Sequence, residues 1–353
     1  MSNPRLAVVG TGWWATTAHV PSLVAYDGAD LVAVCDARLD RARAVADEFG
    51  VPHAYADLDT LLAEQRPDGV MIATPHTTHH ALAAASLAAG VDTFVEKPLT
   101  TLAADAWELV GLAETAGRQL VVGYTYQYTP TAEFVRQAVR EEIGDLVCVA
   151  AEFASGTAGL FAGGTDPAEP ARPHPMTYAD PAQSGGGQGH TQVTHLMGMV
   201  MWATGREAEE VSCYMDQRGL AVDVVDVVAY RFAGGGTGTV TSTGTAVGGQ
   251  PPHQRIRYYG TQGAVEQDLQ AASAVLYRGD GSQAASTHPE GEPTYPTHAP
   301  ARGFADLVAG RAPNRSPGRP AAATAAFLDA AYRSAASGQR ERVHRERDGD
   351  DQP

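Results

Sequence analysis

The feature that most constrains this chain lies at its start. The apolar run 6–9 leads directly into Gly10-Thr11-Gly12-Trp13-Trp14-Ala15. Gly10 permits a tight strand-to-helix turn, and Gly12 leaves the backbone bare for the close approach of an anion. Ala15 is small enough for the helix to pack on the strand. The helix start then offers free N–H groups and the positive end of its dipole. A second apolar run, 31–35, ends in Asp36, 24 residues beyond Gly12. An acid there fits the position that accepts hydrogen bonds from ribose hydroxyls in a dinucleotide-binding βαβ unit. Its charge repels a 2′-phosphate, so NAD is the expected cofactor. Arg38, two residues on, leaves NADP open as a second possibility.

The rest of the chain has to be consistent with that unit. Apolar runs at 6–9, 31–35, 69–73, 92–95 and 119–122 alternate with helical stretches at 38–49, 80–89 and 103–115. This alternation predicts a parallel sheet covered on both faces. After residue 128 the pattern changes. A helix over 130–141 precedes a strand over 146–153, and a Gly/Pro-rich stretch, 155–187, separates them from a helix over 191–204. Strands at 211–215, 224–232, 238–245 and 255–260 then alternate with period two, the pattern of an antiparallel sheet with one exposed face. The polar segment 279–300 reads as a surface insertion and 320–337 as an Ala-rich helix.

The expected fold is therefore α/β. A doubly wound Rossmann domain over 1–127 precedes an α+β domain over 128–340 with an open, mainly antiparallel sheet for substrate binding and oligomerisation. A charged, frayed tail follows over 341–353. An open sheet face favours pairing with a second copy, as a homodimer or homotetramer. The formal net charge of −16 argues against a nucleic-acid partner, which needs a basic face. Cys35, Cys148 and Cys213 are far apart, with no Cys/His cluster, so no metal site is expected. No apolar run approaches the roughly 18 residues of a membrane span. A cytoplasmic protein is expected.

Hydride transfer at an alcohol carbon needs a proton acceptor and a positive neighbour for the developing oxyanion. Lys97 sits just past the apolar run 92–95, at the carboxyl edge where ligands of an open parallel sheet bind. An ammonium there can polarise the oxygen or relay its proton, with Glu96 orienting Lys97 or the cofactor. His195, beyond the glycine run 185–187, has the ordinary pKa range for acid–base work.

Together these residues resemble the Gfo/Idh/MocA oxidoreductases, named for glucose–fructose oxidoreductase, inositol dehydrogenase and rhizopine catabolism proteins. The resemblance is carried by Gly10-Thr11-Gly12, Ala73-Thr74-Pro75-His76-Thr77-Thr78-His79 and Glu96-Lys97-Pro98, then by Gly185-Gly186-Gly187 with His195 and by Gly260-Thr261-Gln262-Gly263. It implies a small-molecule sugar, amino sugar or cyclitol substrate and Lys97 and His195 as catalytic residues. It also implies a cis Lys97–Pro98 peptide. By the same resemblance Thr74, Pro75, His76 and His79 contact the cofactor near the nicotinamide ribose; Trp13 and Trp14, unusual at loop positions, wall its cleft or pack beneath it.

The chain departs from the pattern twice. An acid commonly stands four residues before the histidine, where this chain has Thr191, and His190 is the neighbouring group able to take part. An arginine commonly follows the aromatic pair near residue 126, and here Tyr126 is followed by Gln127. Arg172 and Tyr178, in the stretch 155–187, are read as parts of a substrate-covering lid. Two alternatives stay open at this point: a redox-neutral sugar hydrolase or lyase that oxidises transiently, and a non-catalytic cofactor-binding protein.

Overall fold

The computed structural model describes residues 3–163, 174 and 176–345. Its first sheet consists of β1 (Arg5–Val9), β2 (Asp30–Cys35), β3 (His53–Tyr55), β4 (Gly69–Ile72), β5 (Asp92–Val95) and β6 (Leu120–Val122). The order is β3-β2-β1-β4-β5-β6, and every pairing is parallel. β4 is buried along its whole length, as a strand covered on both faces must be. The strand order reverses at β1, so the crevice for a ligand opens above the carboxyl ends of β1 and β4. All five expected strands are present. β3 and the helix Leu58–Gln65 were not expected, because three residues are too few to show a period.

The second sheet adds β7 (Leu146–Ala154), β8 (Ala208–Asp216), β9 (Val225–Phe232), β10 (Thr237–Thr243) and β11 (His253–Gly260). β12 (Gly263–Asp268), β13 (Ser273–Arg278), β14 (Gln283–Ser286) and β15 (Glu341–Arg342) complete it. Its order is β14-β13-β12-β11-β7-β10-β9-β8-β15, antiparallel except for the pairing of β7 with β10. β9 and β10 alternate buried and exposed residues along their length. One face packs on the core, and the other carries exposed apolar groups such as Tyr214 and Val227.

Three boundaries differ from the sequence reading. The helix Ala299–Val308 belongs to the first domain, because fully buried Phe304 packs against Leu6 and Met71 in that core. The helix Gly318–Ser337 lies between the two sheets, in contact with β8 and with the helix Ala103–Ala116. The tail does not begin frayed: Glu341 and Arg342 pair with β8, and Arg333 bridges to Glu341 at 2.6 Å. Among the described residues no helix is long and apolar enough to cross a membrane, and no group of three or more metal-ligating side chains forms.

Candidate active site

Gly10 has φ +93°, and a Cβ on it would lie 2.4 Å from the carbonyl oxygen of Ala73. Only glycine lets β1 turn this close to the loop that follows β4. A Cβ on Gly12 would meet nothing within 4 Å, so this stretch of backbone borders open space, which suits a pyrophosphate. Asp36 holds the loop from below. Its Oδ2 accepts from the N–H and the hydroxyl of Thr11 at 3.0 and 2.8 Å, and its Oδ1 from the N–H of Arg38 at 3.0 Å. The Arg38 guanidinium turns outward to Asp40. Arg41, not singled out from sequence, donates to the Thr11 carbonyl at 3.1 Å.

Trp14, on the helix start, donates from its indole nitrogen to Glu96 Oε1 at 3.0 Å. The same oxygen meets Nε2 of fully buried His19 at 2.7 Å, and Glu96 Oε2 accepts the N–H of Lys97 at 3.1 Å. Burial alone would raise the Glu96 carboxyl, but His19 and Lys97 outweigh it and hold it below its usual value. Glu96 therefore clasps the phosphate loop to the strand end that carries Lys97. Sequence reasoning missed His19, which follows the motif and carries no signature of its own. The Lys97–Pro98 peptide is cis. Lys97 Nζ donates to the Thr191 carbonyl at 3.3 Å. Burial lowers the lysine's hold on its proton, and Glu96 partly offsets this.

The loop after β4 divides into two roles. Nδ1 of His76 meets the Ser184 carbonyl at 2.9 Å, and the ring of Tyr178 stands edge-on to His76 at 5.8 Å. His76 and Tyr178 are thus brought together. Pro75 caps the short turn that holds His76, and Thr74 accepts from the Thr78 hydroxyl at 2.8 Å. His79 is a correction. It is fully buried, with Nδ1 on the Pro98 carbonyl and Nε2 on the Thr74 carbonyl, so no ring nitrogen remains for a cofactor. It ties the loop to the residues after Lys97.

His190 and Thr191 lie in the π-helical turn Gly189–Val193. His195 lies in the helix Thr194–Thr204 that continues it. His195 is buried, and its Nδ1 has no partner. Burial, then the charge of Lys97, push it well below the usual histidine range. Tyr126 stands edge-on to His195 at 6.0 Å. Tyr295 completes the wall, 4.9 Å from Tyr126, 6.4 Å from His195 and 6.4 Å from Trp14. The segment 279–300 therefore contributes to the site instead of lying outside as an insertion. Gln127 donates from its amide nitrogen to the Gly198 carbonyl at 3.1 Å, which braces the helix, while its buried amide oxygen has no hydrogen-bond partner. Arg172 lies outside the described residues.

A Rossmann-type sheet with an open glycine loop, joined to a mixed sheet by a helical segment that carries His195 and whose Thr191 carbonyl meets the strand-end lysine, defines a two-domain nucleotide-dependent oxidoreductase. Residues 4–124 match the oxidoreductase family with NAD-binding Rossmann fold, and residues 132–266 match the GFO/IDH/MocA C-terminal domain. The chain belongs to the Gfo/Idh/MocA oxidoreductase family. It is 30% identical to myo-inositol 2-dehydrogenase of Thermotoga maritima over 77% of each chain. It is 33% identical to D-apiose dehydrogenase of Paraburkholderia graminis, over 38% of this chain and only 36% of that protein. Among solved structures it resembles GenD2 from gentamicin A biosynthesis in complex with NAD, with a TM-score of 0.76, 25% identity and coverage of 98% and 97%. It shares its fold with levoglucosan dehydrogenase in complex with NADH and levoglucosan, with a TM-score of 0.81, 19% identity and coverage of 98% and 100%.

Proposed function

We propose that this chain is an NAD-dependent dehydrogenase or ketoreductase acting on a secondary alcohol or ketone of a sugar, amino sugar or cyclitol. The observation that carries the reading is the convergence of Lys97 and His195. Half-buried Lys97 donates from Nζ to the Thr191 carbonyl at 3.3 Å, four residues before buried His195, and burial pushes both groups towards the neutral form. The open Gly12 backbone and Asp36 at the rim suit a dinucleotide. When bound, the nicotinamide supplies the hydride acceptor or donor. In the oxidation direction neutral Lys97 takes the hydroxyl proton at Nζ, and as an ammonium it stabilises the oxyanion. His195 orients the hydroxyl and exchanges a proton, and Tyr126 and Tyr295 exclude water. NAD is preferred over NADP because a carboxylate at the end of β2, Asp36, repels a 2′-phosphate. The exposed face of the second sheet is the self-association surface. The three cysteines are unpaired, which supports a cytoplasmic setting.

The test is a panel of sugars and cyclitols with NAD and NADP, followed at the nicotinamide absorbance, with Lys97→Ala beside the natural chain. Lys97→Ala should lose on the order of 100-fold or more in kcat while still binding NADH in a fluorescence titration. Unchanged turnover in that variant overturns the assignment.

A further inference from the structure

The run Gly185-Gly186-Gly187-Gln188-Gly189 is shaped by two side chains from distant parts of the chain, Asp223 and Tyr332. The N–H groups of Gly187 and Gly189 donate to Asp223 Oδ1 and Oδ2, each at 2.7 Å. The N–H of Gln188 donates to the Asp223 carbonyl at 2.9 Å. The Tyr332 hydroxyl donates to Asp223 Oδ1 at 2.8 Å and accepts the N–H of His190 at 3.3 Å. A Cβ on Gly186 or Gly189 would lie 2.2 or 2.7 Å from the Tyr332 hydroxyl oxygen, and one on Gly187 would lie 2.0 Å from the Asp223 carbonyl oxygen. The glycines at 186, 187 and 189 are therefore a collar around this pair. Burial, then Asp223, push the neighbouring Asp226 carboxyl well above the usual range, so it keeps its proton.

His190 projects from the end of the collar. Its ring lies on the Tyr332 ring with centroids 4.5 Å apart at 33°. It is buried, and neither ring nitrogen has a hydrogen-bond partner of good geometry. The helical segment that carries Thr191 and His195 contains no acidic residue between positions 189 and 204. We propose that Asp223 and Tyr332 are positioning residues of this active site: they fix the turn that carries His190 and Thr191, and so place the buried His190 ring as a second proton-exchanging group for a substrate hydroxyl. The proposal rests on the dehydrogenase reading above. The titratable groups around His190 are Tyr332, on whose ring it lies, Asp223, and His76, which in turn feels Lys97. Burial pushes His190 down to about 4, and the Asp223 charge works against that fall.

The experiment compares Tyr332→Phe and Asp223→Asn with the natural protein on one polyol substrate, with melting temperature and NADH affinity measured on the same samples. Tyr332→Phe keeps the ring under His190 and removes only the hydroxyl. It should lower kcat roughly 10-fold with KM and NADH affinity within about twofold. Asp223→Asn weakens the bonds from the Gly187 and Gly189 N–H groups as well and should lower kcat further. A Tyr332→Phe variant with full kcat overturns the proposal, and that result is decisive even if Asp223→Asn does not fold. If the natural protein turns over no polyol with either nucleotide, the dehydrogenase reading fails first. Full turnover with an indifferent Tyr332→Phe sinks the positioning role alone.

Discussion

Glu96→Gln tests the clasp between the phosphate loop and the lysine. The carboxylate accepts three hydrogen bonds, from Trp14, His19 and the N–H of Lys97, and its side chain is only 10% exposed. The amide keeps one oxygen, enough for Trp14 and His19, but its NH2 then faces the Lys97 N–H donor to donor. Leaving one buried donor unsatisfied costs about 1–3 kcal/mol, and turning two charge-assisted bonds into neutral ones costs up to about 1 kcal/mol each. A loss of about 2–4 kcal/mol is expected, roughly 5–10 °C in melting temperature at pH 7. The pH dependence has a definite sign. Glu96 is held below its unfolded value, so its contribution is fully present above an unfolded pKa of about 4.3 and is lost as pH falls through the folded value. The gap between natural and variant melting temperatures should be constant from pH 6 to 8 and shrink below about pH 4. The variant also removes the charge that supports the Lys97 proton, which moves the acid limb of kcat/KM to lower pH. Differential scanning calorimetry across pH measures the first effect and initial rates the second. Equal melting at pH 7, or a gap that widens towards acid, refutes the clasp.

Other substitutions separate the remaining parts. Gly187→Ala should destabilise the protein by several degrees and abolish turnover, because its Cβ would overlap the Asp223 carbonyl oxygen at 2.0 Å; Gly159→Ala, with nothing within 4 Å of its Cβ, is the neutral control in the same melting assay. Asp36→Ala removes the acceptor for Thr11 and the repulsion of a 2′-phosphate, so fluorescence titrations should show weaker NAD binding and a preference shifted towards NADP. An unchanged NAD/NADP ratio contradicts the role given to that carboxylate. Tyr214→Glu places a charge opposite Val227 on the exposed sheet face and should shift the mass seen by light scattering towards the monomer. A mass equal to that of the natural protein rules out this face as the self-association surface.

What could be read in the sequence follows how local the physics is. The turn at Gly10 needs nothing beyond its own backbone and the strand before it, so the motif carried both the fold and the anion site. Lys97 was legible for the same reason, since an apolar strand places whatever follows it at the ligand edge of the sheet. The direction of a side chain is not local. Gln127 follows an aromatic segment that lines the site, yet the carbonyl it meets belongs to Gly198, and only the packing of the helix beneath it determines that. Tyr295 could not be found by periodicity, because it sits in a loop and reaches Trp14 and His195 only through the fold. β12 escaped because Glu266, Gln267 and Asp268 interrupt the apolar pattern, although Val265 is fully buried. The glycine run at 185–187 is the intermediate case. Consecutive glycines announce that something must come close to the backbone, and in the sequence they stand as a mark of the site. The sequence cannot say whether the close neighbour is a ligand or another part of the chain. Here it is Tyr332 and Asp223, more than thirty positions downstream, so the acid absent at Thr191 and the glycines that precede it belong to one question about how this site is charged.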